Sequence, residues 1–200
     1  MEVLITSKTK WGIKNPCYCI GAIEIKTLNY VRLMTTIGTY QPLTAPYQVG
    51  QIWDLDYRNN PARPPHVEDV WINRNNGLIG NIPNLSNYIT QNCTVWNGSY
   101  NVPFGGRLNW NGSGYLNDPN NLPANSVGFW ISDQDLYWDG SEYYVYRRPR
   151  FRSDKRIKYK GTAQPIPVIP LGTLIRLSLA KWWDGQGGEN RCYLQLSGWY

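Results

Sequence analysis

Apolar and polar positions alternate with a period of two along both ends of the chain, and the alternation breaks down in the middle. Residues 2–7 (EVLITS) alternate weakly and predict a first strand. Residues 17–26 place Cys17, Cys19, Ile23 and Ile25 on one face, and after a turn at 27–29 residues 30–34 return, which predicts a hairpin. Pro42, Pro46 and Gly50 lead into residues 51–57, where Trp53, Leu55 and Tyr57 alternate with Asp54 and Asp56. The rigid NPARPP at 60–65 is followed by one more strand at 67–72. Nothing in this first part keeps a 3.6-residue period beyond a turn or two, so the class is β. Strand character restarts at 127–130, 136–138 and 143–147, with Asp139-Gly140 as a type I′ hairpin signal between the last two. Residues 174–179 put Ile175, Leu177 and Leu179 inward and Arg176 and Ser178 outward. Residues 191–200 put Cys192, Leu194 and Leu196 inward, with Arg191, Tyr193, Gln195 and Ser197 outward.

Between these regions the composition changes. Residues 73–125 hold fifteen Asn and seven Gly, with Pro at 83, 103, 119 and 123, which predicts turns and loops. Trp96, Tyr100, Phe104, Trp110 and Tyr115 are expected to pin this segment against a neighbour, because a solvated tail rarely carries so many large rings. A short repeat joins the two ends: VGQIWDLDY at 49–57 and LGTLIRLSL at 171–179 share an aliphatic, a Gly and the same alternation. The chain therefore divides into a first β unit at 1–72, an Asn/Gly-rich connecting segment at 73–126 and a second β unit at 127–200.

Charge singles out the second unit. Residues 1–70 carry seven basic and six acidic groups, residues 71–140 two and four, and residues 141–200 eleven and four. The excess is concentrated at residues 143–160, YYVYRRPRFRSDKRIKYK, where eight cations face one acid, Asp154. Arg147, Arg148, Arg150, Arg152, Lys155, Arg156, Lys158 and Lys160 match phosphates, and Tyr144, Tyr146 and Tyr159 offer flat rings to unpaired bases. A solvated basic loop or a charge-protected hairpin edge would use the same residues. Arg176 joins the binding face by its outward parity. So does Trp182: continuing 175, 177 and 179 in odd steps makes Trp183 the packed ring and Trp182 the exposed one.

Catalysis is not expected. The one histidine, His66, sits in a Pro-rich stretch, and no Gly-rich loop has phosphate-cradling spacing followed by Lys and Ser or Thr. Asp133, Asp135 and Asp139 lack a calcium-loop pattern. No metal or other cofactor is expected. With no apolar leader or membrane span in the pattern, a cytoplasmic protein is expected, with Cys17, Cys19, Cys93 and Cys192 as free thiols.

The unit lengths fit two small five-stranded barrels, and the oligonucleotide-binding (OB) fold is a common one of that size. The N-terminal VLITSKTKWG, with LSLAKWW at 177–183 and RCYLQLSGWY at 191–200, resembles a bacterial family described as carrying a dual OB-fold domain. The resemblance implies an all-β fold of two OB-like barrels, nucleic-acid binding, and participation in prokaryotic conflict and defence systems, and it brings no catalytic motif. Three readings follow: a module for single-stranded DNA or RNA, a carbohydrate or small-ligand module, and an interaction subunit for a separate protein effector. The basic C-terminal third favours the first over the second, because neutral sugars leave a cationic arm without a partner.

Overall fold

The computed structural model describes residues 1–12, 14–60, 63–148, 153–184 and 188–200. The chain forms two units, Met1–Thr94 and Val95–Tyr200. Among the described residues, no helix is long and apolar enough to cross a membrane.

The first unit is a closed barrel of β1 (Glu2–Trp11), β2 (Cys17–Glu24), β3 (Tyr30–Met34), β4 (Gln51–Asn59) and β5 (Asp69–Asn81), in the order β1-β2-β3-β5-β4. The β3–β5 pair is parallel and the others are antiparallel. Closure depends on β1, which pairs with β2 along its length and with β4 through Val3 and Leu4 at its start. A register shift between Ile5 and Ser7 bends it between these two tasks. Val3, Ile5, Ile20, Ala22, Leu33, Leu55 and their neighbours fill the interior. Because Ile20 and Ala22 point inward, Cys17 and Cys19 lie half-buried on the opposite face of β2, not in the core as their alternation predicted. None of the four cysteines is in a disulfide.

The second unit repeats this strand order. Its ten-stranded sheet includes β9 (Val127–Ser132), β10 (Leu136–Trp138), β11 (Tyr143–Tyr146), β12 (Lys155–Tyr159), β14 (Leu174–Leu179) and β15 (Cys192–Trp199). β12 and β15 are parallel, as β3 and β5 are in the first unit. The role of β1 is divided here: β9 pairs with β14, and β10 pairs with β11. Residues 133–135 join the two halves, so the circuit is completed by the chain itself and not by a ladder. Four short strands are added: β6 (Val95–Gly98) on β9, β7 (Asn109–Asn111) on β8 (Ser113–Leu116), and β13 (Val168–Ile169) on β10. β8 wedges between β12 and β15 where they diverge. Trp130, Leu136, Tyr144, Ile157, Ile175, Leu177, Leu194 and Leu196 lead its core.

The boundary between units at Thr94 and Val95 cuts through the predicted connecting segment. β5 runs on to Asn81 as the partner of β4, and α1 (Leu85–Asn92) follows it. Asn84 caps α1 by accepting the Asn87 N–H at 2.9 Å, and Leu85 and Ile89, one turn apart, are buried. The rest of the Asn-rich stretch supplies β6, β7 and β8.

The short repeat holds in three dimensions. β4 and β14 occupy equivalent places in the strand order, with Trp53 and Leu55 facing one core and Ile175 and Leu177 the other. The aligned glycines Gly50 and Gly172 have φ of 88° and 80°. An added Cβ would meet nothing within 4 Å at Gly172 and only the Ile82 carbonyl, at 3.8 Å, at Gly50. Their cost of substitution is therefore backbone strain, not clash. Gly50→Ala and Gly172→Ala should each lower unfolding free energy by about 1–2 kcal/mol in denaturant titrations. An unchanged midpoint for both would show that the two turns do not need left-handed backbone.

Candidate nucleic-acid interface

The hairpin of β10 and β11 starts from one carboxylate. Asp139 Oδ1 accepts the N–H groups of Ser141, Glu142 and Tyr143 at 2.9, 3.1 and 3.1 Å and the Ser141 hydroxyl at 2.9 Å. Its Oδ2 pairs with Arg156. Although some desolvation opposes it, these donors hold the Asp139 carboxyl far below the ordinary carboxylate range. The Asp139 N–H reaches the Tyr143 carbonyl at 3.0 Å, so the loop is longer than the two-residue turn predicted for Asp139-Gly140.

This loop sets the parity of β11. Tyr144 and Tyr146 point into the core, 0% and 6% exposed, and Tyr143 and Val145 point out. The Tyr144 hydroxyl donates to the Ile166 carbonyl and accepts the Ile166 N–H, both at 3.0 Å. The Tyr146 hydroxyl donates to Asp133 at 2.8 Å, and burial, then that carboxylate, push it up to about 12. Tyr159 is half-buried among Trp138, Tyr144 and Trp199 and donates to the Ala163 carbonyl at 2.8 Å. Tyr144 and Tyr146 offer no free face, because a Tyr whose hydroxyl finds an acceptor buries well, and Tyr159 is partly covered by its ring neighbours.

The basic arm divides in the same way. Lys155 lies inward, 5.6 Å from the Tyr100 ring, and Arg148 approaches the same ring at 5.0 Å. The Arg148 N–H is held by Asp154 at 2.8 Å. Lys160 is half-buried, and burial, then Lys158, lowers its ammonium pKa. Arg150 and Arg152 lie outside the described residues. Arg147, Arg156 and Lys158 face outward: Arg147 covers Tyr137 at 3.8 Å, and Arg156 and Lys158 flank Tyr143 at 4.5 and 5.7 Å. Lys158 also pairs with Glu142 at 2.8 Å.

Arg176 is not on this face. It is 4% exposed, held in β14 between Phe129 of β9 and Gly198 of β15, where residues 174–177 are all buried. The two tryptophans exchange their predicted places. Trp182 packs against the core and Trp183 is 55% exposed. β14 ends at Leu179, and Ala180 still donates to the Tyr193 carbonyl at 2.8 Å, but the next bridge joins Trp183 to Arg191, three residues on against two, so odd–even counting does not carry across residues 181–182.

Strand registers extend the outward face. Tyr137 lies opposite Val145, Val145 opposite Arg156, and Arg156 beside Ser113 of β8. Two residues on, Tyr115 lies opposite Tyr193 of β15, their rings 5.9 Å apart. Arg191 covers Tyr115 at 4.1 Å, and Trp183 lies 6.0 Å from Tyr193. One face thus carries Tyr137, Tyr143, Tyr115, Tyr193 and Trp183 interleaved with four cations. Of these, the alternation at 191–200 marks Arg191 and Tyr193, while Tyr115, Tyr137 and Tyr143 are visible only once the registers are known. His66 is buried, and no group of three or more metal-binding side chains occurs among the described residues.

A family model described as a dual OB-containing domain matches residues 1–199. No curated protein and no solved structure matches the chain.

The parity can be tested without a ligand. Trp182→Ala should cost roughly 3 kcal/mol of stability, as for a large ring lost from packing, and Trp183→Ala under about 0.5 kcal/mol, as for a surface change. Denaturant midpoints in the opposite order would put the wrong ring on the surface.

Proposed function

Because the chain belongs to the dual OB-containing domain family, we propose that its second unit binds single-stranded nucleic acid, without catalysis, along the outer face of β10, β11, β12, β8 and β15. The observation that supports this most is the interleaving itself: Arg147, Arg156, Lys158 and Arg191 each sit within 6 Å of an outward tyrosine ring. OB folds as a class bind oligonucleotides or oligosaccharides on the face of their second and third strands and the adjoining loops. Here β11 and β12 take those places, and Trp183 lies in the loop before the last strand. Bases stack on rings of any sequence, and cations neutralise phosphates, so such a face binds strands with little sequence preference.

The acids on this face moderate the binding. Asp139, Glu142 and Glu189 hold Arg156, Lys158 and Arg191 in ion pairs. A phosphate backbone would replace Glu142 and Glu189, the two exposed carboxylates, as the partner. In this reading the chain is a recognition component, with any chemistry left to a separate effector in a bacterial conflict system.

If about five phosphates are neutralised, the log–log salt slope for a short single-stranded oligonucleotide should be roughly −3.5. Tyr143→Ala or Trp183→Ala should weaken binding by about 1–3 kcal/mol with little change in slope. A slope near zero would point to an uncharged ligand such as an oligosaccharide and would overturn the reading.

The acid pairs give a change of opposite sign. Glu142→Gln releases Lys158 and should tighten binding about twofold and steepen the slope by under one unit, since exposed pairs are worth about 0.2–1 kcal/mol. Weaker binding by this variant would mean that Glu142 orders the turn and does not compete with the strand.

A further inference from the structure

The first unit carries an aromatic feature that the surface above does not use. Trp11, the last residue of β1, is 58% exposed, and its ring lies 5.3 Å from that of Tyr40 at an angle of 39°. Both partners are held in place. Gly12, at φ 82°, makes the turn after Trp11 so tightly that an added Cβ would lie 2.6 Å from the Asn15 carbonyl oxygen. The Cys17 thiol donates to the Trp11 carbonyl at 3.5 Å. On the other side, Gln41 and Tyr18 exchange backbone hydrogen bonds at 2.7 and 3.0 Å, which ties Tyr40 to β2. The chain before Tyr40 is closed by hydrogen bonds between Thr35 and Thr39, including a 2.7 Å hydroxyl pair. The indole therefore stands on a fixed base with much of its surface open to solvent.

Along the chain around Trp11 the charge is of one sign. Between Glu2 and Glu24 the chain has Lys8, Lys10 and Lys14 and no acid. Lys8 turns inward to the Tyr47 carbonyl at 3.0 Å; Lys10 shares its parity and is exposed on the other side of β1 from Trp11, and Lys14 is exposed in the turn that follows. Further along the outer face of Trp11, by the registers of β1, β2 and β3, lies Arg32. It pairs with Asp69, and its Nη2, buried from solvent, has no hydrogen-bond acceptor among the described residues. A flat ring to stack on and two exposed ammonium groups on the chain around it describe a ligand that is planar and anionic.

We propose that Trp11, backed by Tyr40, is a stacking site for one base of a single-stranded nucleic acid, with Lys10 and Lys14 on the chain either side of it to meet the backbone, so that each unit of the chain contacts the strand through its own rings. The ligand class rests on the reading given for the second unit; the site itself rests on Trp11 and Tyr40. Lys10 and Lys14 draw in the phosphates, and the indole receives a base with no ordering cost because Tyr40 already holds it.

The test uses the full chain and a pyrimidine-rich single strand carrying 5-bromouracil, crosslinked by ultraviolet light and mapped by mass spectrometry. A crosslink in the peptide containing Trp11 is expected, and Trp11→Ala should weaken binding roughly 5- to 100-fold while Trp11→Phe keeps most of the affinity. Lys10→Gln with Lys14→Gln should flatten the salt slope by about one unit. A second variant separates the two units. If Tyr143→Ala with Trp183→Ala leaves affinity unchanged while crosslinking at Trp11 persists, the surface of the second unit falls and this site stands. If the strand binds and crosslinks only within residues 95–200, with Trp11→Ala unchanged, this site falls and the second unit stands. A Trp11→Ala variant that changes the sedimenting mass of the protein, with oligonucleotide affinity intact, would make the indole a protein contact and overturn the proposal.

Discussion

The pairing of β11 with β12 is the contact on which the rest of the proposed surface depends. Tyr144 lies opposite Ile157 and Tyr143 opposite Lys158, so the pleat sends one pair to the core and the other to solvent. A slip of one residue would bury Arg156 and Lys158 and expose Ile157. The buried hydroxyls resist that slip. Tyr144 is tied to Ile166 and Tyr146 to Asp133. Shifting the strand would leave those groups unpaired inside the unit, at about 1–3 kcal/mol each.

Electrostatics follow from the same parity. The outward cations sit over rings and beside carboxylates, whereas Lys155 and Arg148 turn toward Tyr100 from the Asn-rich stretch. A basic run that looks uniform along the chain thus becomes two groups with different partners. Under the proposed function, Lys158 would exchange the exposed Glu142 carboxylate for a phosphate. The inward group helps to fix Tyr100, which also packs edge-on against Trp110 and Tyr146.

The two units show one strand order closed in two ways. In the first, β1 is long enough to pair with both neighbours, with a bulge to absorb the bend. In the second, residues 133–135 break the equivalent strand, and β8 wedges between β12 and β15. That wedge brings Tyr115 beside Tyr193 and prolongs the outer face, so the irregularity creates ring surface that a regular barrel would lack.

Alternation along the chain determined the β class, most strand positions and the equivalence of β4 with β14; the motifs VLITSKTKWG, LSLAKWW and RCYLQLSGWY carried the family resemblance, and composition located the charge. It did not determine where the units divide, since β5 gains its extra length from pairing with β4 and not from its own Asn-rich sequence. The faces of Tyr144, Tyr146 and Tyr159, of Arg176 and of the Trp182–Trp183 pair were settled only by tertiary structure. In a stretch such as YYVY either parity places tyrosine on both faces, so local pattern carries the period but not the phase. Phase is set by which long-range partner satisfies each hydroxyl and each edge. Where strand geometry lapses, as between Leu179 and Trp183, counting residues loses the phase altogether, and packing decides which ring is covered.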